Sequence, residues 1–187
     1  MSTIPSPPLR GQKALVLGIA NEHSIAFAPK ADLQGGLLNC SADGFGVAMD
    51  VSCHSFVRMA RLAAPLMTEG GTLFAMTYYG AQKVVPNYSV MGPVKAALEA
   101  SVRYLAHELG PRGIRVHAIS PGPIKTRAAG GLKDFDLLLN EAAQRAPVGE
   151  LVDIDDVGMA TAYLATPYAR RVTGSTVYVD AGLNIMA

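Results

Sequence analysis

The sequence predicts a single α/β domain built on a parallel sheet of about four strands. Two observations carry this. Four short apolar runs, Ala14-Leu-Val-Leu17, Gly71-Thr-Leu-Phe-Ala-Met76, Ile114-Arg-Val-His-Ala-Ile119 and Thr176-Val-Tyr-Val-Asp180, have the length and composition of strands buried in a sheet. Between them lie stretches whose apolar residues recur at helical spacing, so helices cross over between strands that run parallel.

The bulk properties narrow the function classes. The chain has 187 residues, of which 50% are hydrophobic and 17% charged, with a net charge of +1. That is enough to bury a substantial core. It lacks the basic stripe expected of a nucleic-acid binder and the low hydrophobicity of a disordered chain. The N-terminus Met1-Ser-Thr-Ile-Pro-Ser-Pro-Pro-Leu-Arg10 has no apolar signal core, and no apolar run approaches the length of a membrane span, so a cytoplasmic protein is expected. Cys40 and Cys53 are too few for a disulfide scaffold and should be free thiols. His54 follows Cys53 directly, and neighbours on a helix point to different faces, which argues against a Cys/His couple.

In chain order, Ala14 to Leu17 runs into Gly18-Ile-Ala-Asn-Glu-His-Ser24-Ile25. A glycine at the end of a first strand lets backbone approach a dinucleotide pyrophosphate, with the next helix N-terminus supplying N–H donors. One glycine is a weak form of that loop, and the alternative is a plain strand-to-helix turn. From Ser41, a cap with Asp43 in the first turn, a helix is expected; Phe45, Val47, Ala48, Val51, Phe56, Ala60, Ala63 and Leu66 carry its apolar face, and Glu69-Gly70-Gly71 stops it. Strand 71–76 should be buried on both faces. After it, Ala96, Ala97, Leu98, Ala100, Val102, Leu105 and Leu109 mark a helix that ends at Gly110-Pro111.

Past Gly113, the strand from Ile114 leads into Ser120-Pro-Gly-Pro-Ile-Lys-Thr126, a stiffened turn at a strand's carboxyl end that places Ile124 and Thr126 to meet a ligand; the alternative is a plain loop. Phe135, Leu138, Leu139 and Ala142 mark a short amphipathic helix ending near Pro147. Following a Gly-rich hinge, it is either a lid over an apolar chain or a surface helix. Asp153 is the expected cap of the next helix, whose buried side is Val157, Ala160, Tyr163 and Leu164. No internal repeat and no metal-ligand cluster is present, and His23, His54, His107 and His117 are isolated.

The chemistry-bearing pair is Tyr88 and Lys95, seven residues apart near the start of the helix after strand 71–76. At 3.6 residues per turn both side chains leave one helix face. A nearby ammonium favours phenolate and lowers the tyrosine pKa, which makes the two an acid pair. On spacing alone the alternative is a half-buried tyrosine beside a solvated lysine. A shorter pair, Tyr79 and Lys83, would need a shared helix, but Pro86 biases Val85 out of the helical region, so that pair is set aside.

Tyr78, Tyr88 ten residues on, and Lys95 within Asn87-Tyr-Ser-Val-Met-Gly-Pro-Val-Lys-Ala96 resemble the enoyl-acyl carrier protein reductases of bacterial fatty acid synthesis, a divergent branch of the short-chain dehydrogenases. Gly18 followed by Ser24-Ile25-Ala26, and the turn from Ser120 to Thr126, are similar to that family too. The resemblance implies a Rossmann-like doubly wound parallel sheet and reduction of a trans-2-enoyl thioester borne by acyl carrier protein. It implies NADH as cofactor, with NADPH left open, and hydride addition at the β-carbon. Tyr88 would stabilise the enolate oxygen, Lys95 would hold the nicotinamide ribose, Tyr78 would line the acyl site and Ala28 would touch the substrate. Gly18, Ser24, Ile25, Ile124 and Thr126 would meet the cofactor, and 125–147 would be the substrate lid. The helix from Ser41 and the helix bearing Tyr88 would form the main interface of a homodimer or homotetramer.

The resemblance breaks after Phe27. The single segment His23-Ser-Ile-Ala-Phe-Ala-Pro29 stands where the family has two such motifs, and roughly 70 residues, about two βα units, are absent between them. The sheet is therefore expected to be reduced, with Ala14 to Leu17 in the slot of either the first or the fourth strand. The nicotinamide half of the site is expected and the adenine half is not. Asp32 and Asp43 lie near the usual distance for a ribose-binding acid, but neither ends a strand. Ala181 also replaces the first glycine of the family's closing Val-Asp-Gly-Gly. A second expectation follows, a remnant that folds and associates without competent cofactor binding.

Overall fold

The computed structural model describes residues 26–124 and 135–186. The expected strand Ala14 to Leu17, with Gly18, Ser24, Ile25 and Thr126, lies outside the described residues.

Short helix α1 (Lys30–Gln34) carries Asp32, whose carboxylate is buried and accepts from the Ser41 N–H at 2.7 Å. Ser41 in turn caps α2 (Ala42–Met49), its hydroxyl accepting from Gly44 N at 2.9 Å as the sequence predicts. Gly44 is required here, because a Cβ would lie 2.1 Å from the Asp32 carboxylate. A π-helical turn over Asp50–His54 then joins α2 to α3 (Ser55–Ala63). The wider turn rotates the inward face, so the buried line runs Ala48, Ser52, Cys53, Phe56, Ala60 and Ala63. Phe45, Val47 and Leu66, expected on that face, are instead 38%, 41% and 75% exposed, because they lie beside the row that meets the sheet. Cys53 is a buried free thiol near Ser101, while His54 faces out beside Asp50, so the two do point apart.

Among the described residues the sheet has three parallel strands in the order β1 (Gly71–Met76), β2 (Ile114–Pro121) and β3 (Thr176–Val179). Gly71 pairs with Ile114 through Met76 with Ile119, and Ala118 pairs with Thr176 through Pro121 with Val179. The expectation that β1 is buried on both faces holds only at Ala75; its other positions are half-buried among the described residues. The central β2 is covered on both sides. Val116 and Ala118 join Ala75, Ala48 and Phe56 under α4 (Met91–Leu109), which seats Val94, Leu98 and Val102 on the sheet. On the opposite face Ile119 packs with Leu164 of α6 (Ile154–Ala165), Phe74 and Val177. Helix α5 (Phe135–Arg145) lies between β2 and α6 in the chain and buries Ala142.

Asp153 caps α6 in a full capping box with Asp156, as its position foretells. The other end of α6 is held by the Arg115 guanidinium, which donates to the carbonyls of Leu164, Ala165 and Ala169. Tyr163, expected inward, is 53% exposed; Leu164, a third of a turn away, takes the buried position. Asp180 closes the last strand by accepting from the Gly182 and Asn184 amides at 3.0 and 2.8 Å.

Two stability predictions follow from buried or strained positions. Ala181 adopts φ 55°, a left-handed conformation that costs a residue with a Cβ. Ala181→Gly should therefore stabilise the fold by about 0.5–1 kcal/mol in thermal unfolding. His117 is fully buried and stacked on Phe74 at 5.8 Å, and among the described residues neither ring nitrogen has a hydrogen-bond partner. Burial, reinforced by the Arg115 charge, pushes its pKa down from 6.5 to about 4. The native ring then stays neutral while the unfolded chain takes up a proton, so stability should fall as pH drops from about 6.5 towards 4, by up to about 3 kcal/mol. Urea titrations at several pH values should show that slope, and His117→Phe should flatten it.

Candidate active site

The site gathers at the carboxyl ends of β1 and β2. Thr77 continues the β1 ladder by donating its N–H to Ile119 O at 2.8 Å. Tyr78 leaves the strand extended, and Tyr79–Ala81 then form a single 3₁₀ turn. The chain returns through Pro86 to Tyr88, which sits between two left-handed residues, Asn87 at φ 62° and Ser89 at φ 45°. Helix α4 starts only at Met91, so Tyr88 precedes the helix instead of riding on it. The same-face argument from a seven-residue spacing therefore does not apply; a left-handed residue on each side turns Tyr88 out of the helical path.

Packing places the Tyr88 ring instead. Its centroid is 5.2 Å from that of Tyr78, inclined at 63°, and Tyr78 meets Tyr79 edge-on at 4.6 Å. Gly80 makes room for this arrangement, since a Cβ there would stand 2.6 Å from Tyr88 Cδ1. Lys95, in the second turn of α4, is 5% exposed and donates from Nζ to Met76 O at 2.8 Å. One turn further, Glu99 is 4% exposed and accepts from Thr77 Oγ1 at 2.9 Å and Gln82 Nε2 at 3.2 Å. Sequence reasoning missed Glu99, Thr77 and Gln82. The signal was there in Glu99 itself, an acid four residues after Lys95 on a face otherwise apolar at Val94, Leu98 and Val102.

Burial governs the ionisation of these groups. It pushes Lys95 down from 10.5 to about 8, with Cys53 and Glu99 acting in the opposite direction. It raises Tyr88 above the ordinary phenol range, helped by the Glu99 charge, and raises Tyr78 with contributions from Tyr79, Tyr88 and Asp180. This reverses the expected direction for Tyr88: loss of hydration outweighs any help that the lysine gives to a phenolate. At neutral pH Tyr78 and Tyr88 are phenols, and Lys95 is an ammonium bonded to the end of β1. Such a set suits an oxygen that gains negative charge during reaction.

The remaining candidates fall as follows. Ala28 is 5% exposed within the core beneath α4, and its segment is held where Phe27 N donates to Ser52 Oγ at 2.8 Å and Ser52 Oγ returns a bond to Phe27 O at 2.9 Å. Ile124 is half-buried just past β2. Lys83 is exposed and donates to Met186 O at 2.7 Å. The residues present fit the nicotinamide ribose of a dinucleotide: among the described residues Lys95 keeps N–H donors beyond the one given to Met76, and the buried Ser120 hydroxyl at the end of β2 has no partner. Gly80→Ala is expected to keep the fold and displace the Tyr88 ring, lost near-UV tyrosine dichroism and a shifted ring in a crystal structure being the readouts.

The comparisons agree with this geometry. Residues 21–184 match the family model described as Enoyl-(Acyl carrier protein) reductase. The enoyl-[acyl-carrier-protein] reductase [NADH] of Aquifex aeolicus is 46% identical over 165 residues, 88% of this chain and 61% of that protein. The Bacillus cereus counterpart is 44% identical over 95% of this chain and 69% of its own length. The crystal structure of the Bacillus cereus enoyl-acyl carrier protein reductase with NADP+ and indole naphthyridinone superposes with a TM-score of 0.85 at 46% identity, covering 87% of this chain and 63% of that one. The chain thus spans about 61% of the length of the first of these relatives. With Tyr78, Tyr88 and Lys95 at the edge of a Rossmann-like parallel sheet, the chain belongs to the enoyl-(acyl carrier protein) reductase family.

Proposed function

We propose that this chain works as an NADH-dependent enoyl-acyl carrier protein reductase. The observation that supports the reading is the end of β1, where the half-buried Tyr88 ring packs edge-on against Tyr78 and the buried Lys95 donates to Met76 O. NADH, when bound, supplies the hydride that adds to the β-carbon of a trans-2-enoyl thioester. The Tyr88 phenol donates to the thioester carbonyl oxygen as enolate charge develops there. Lys95 holds the ribose hydroxyls and keeps the local potential positive. Tyr78, stacked edge-on against Tyr88, lines the acyl path, and Ala28, its methyl turned into the core, offers the substrate its main chain. Gly18, Ser24, Ile25, Ile124 and Thr126 complete the cofactor contacts.

In this reading residues 125–147, with α5, form the lid over the acyl chain within one domain spanning 1–187, and acyl carrier protein delivers the substrate in the cytoplasm. Among the described residues no helix is long and apolar enough to cross a membrane. The apolar side chains of Phe45, Val47, Leu62 and Leu66, with Tyr104 of α4, are exposed on the two helices assigned to a homodimer or homotetramer interface. A second reading, a remnant that folds and associates without turnover, is favoured by one observation, that the chain spans about 61% of a relative's length.

Following NADH absorbance with a trans-2-enoyl thioester decides between them. The enzyme reading expects turnover, and Tyr88→Phe should lower it by about 10²–10³-fold through loss of the donor to the oxyanion. Folded protein without turnover at high cofactor concentration, running as an oligomer on gel filtration, supports the second.

A further inference from the structure

We propose that Glu99 is a positioning residue of this site: by accepting from Thr77 and Gln82 one helical turn beyond Lys95, it locks the strand end that launches Tyr78 and supplies the negative charge that balances Lys95. The inference rests on the roles given above to Tyr88 and Lys95.

Lys95 and Glu99 are charged side chains on the buried side of α4, where Val94, Leu98 and Val102 otherwise pack. A carboxylate out of water is tolerated only when its oxygens are satisfied. Here each oxygen meets one donor, the Thr77 hydroxyl at 2.9 Å on Oε1 and the Gln82 amide at 3.2 Å on Oε2. Lys95 meanwhile donates to Met76 O at 2.8 Å. Consecutive turns of one helix therefore grip consecutive residues, Met76 and Thr77, at the end of β1. Tyr78 is the next residue, so its departure angle is set by two fixed points. Gln82 fastens the far end of the 3₁₀ turn, which is closed by Ala81 N to Tyr78 O and Gln82 N to Tyr79 O, both 2.9 Å. Glu99 thus ties both ends of the loop bearing Tyr78 and Gly80 to the helix that carries Lys95.

The charge has a second effect. Burial works against the Lys95 ammonium, and the Glu99 charge works for it. Among the described residues the other titratable groups that act on this pair or feel it are Cys53 from the π-helical turn, Tyr88 from the turn before α4 and Tyr178 from β3, with Asp180 acting on Tyr178.

The test uses the full chain and two variants. Glu99→Gln keeps an oxygen for Thr77 but removes the charge. In ¹³Cε-lysine NMR, with the signal assigned through Lys95→Met, Lys95 should lose its proton about one pH unit lower in Glu99→Gln than in the unaltered chain. An unmoved titration would overturn the proposal. Thr77→Val keeps the charge and removes the donor. Amide exchange at Ala81 and Gln82 should then quicken about tenfold, and unchanged exchange would equally refute the clamp, which keeps the idea testable if Glu99→Gln does not fold. Neither readout needs turnover, so an inactive chain would defeat the enzymatic reading and leave this one to be decided by the spectra.

Discussion

The site depends on a lysine ammonium buried against a backbone carbonyl. Lys95 loses nearly all contact with water and recovers one strong bond, to Met76 O. That bond fixes where α4 stands relative to the end of β1, and small residues make the approach possible. Ala75 and Ala118 present methyl groups where Val94, Leu98 and Val102 descend on the sheet. Larger residues there would lift the helix and take Nζ out of reach of the strand. Helix packing and site geometry are in this sense one constraint, set by the volume between α4 and the first two described strands.

Around that anchor, desolvation is the dominant electrostatic effect. It lowers Lys95 and raises both Tyr78 and Tyr88, so the two tyrosines stay neutral phenols. A phenol held in its protonated form can still donate to an oxygen that becomes negative only at the transition state. A preformed phenolate could not. The left-handed residues on either side of Tyr88 belong to the same design: Asn87 and Ser89 hold unfavourable backbone conformations that the packing of Tyr88 on Tyr78 and Gly80 keeps in place.

The relation to the family is that of a chain that spans part of its relatives' length. The three described strands, the two long helical stretches and the capped α6 correspond to a structure that superposes closely on a full-length relative, yet the chain covers about 63% of that structure. What the described residues assemble is the end of β1, to which Lys95 is bonded and beyond which Tyr78 and Tyr88 pack edge-on. The described helices packed behind that strand end are continuous and well buried on their inner faces.

Much of this was legible in the sequence by itself. The α/β class, the strands at Gly71–Met76, Ile114–Pro121 and Thr176–Val179, the caps at Ser41 and Asp153, and the helix ending at Leu109 all depend on residues within a few positions of one another. Local propensity and capping chemistry suffice there, and the motif from Asn87 to Ala96 named the family. Tertiary structure decided the rest. It put Tyr88 ahead of its helix, exposed Phe45, Val47, Leu66 and Tyr163, reversed the direction of the tyrosine pKa, and drew Glu99 into the site through Thr77 and Gln82. Each of these follows from burial and contact between segments far apart in the chain, and a pattern read along one strand or one helix carries no measure of what lies across from it.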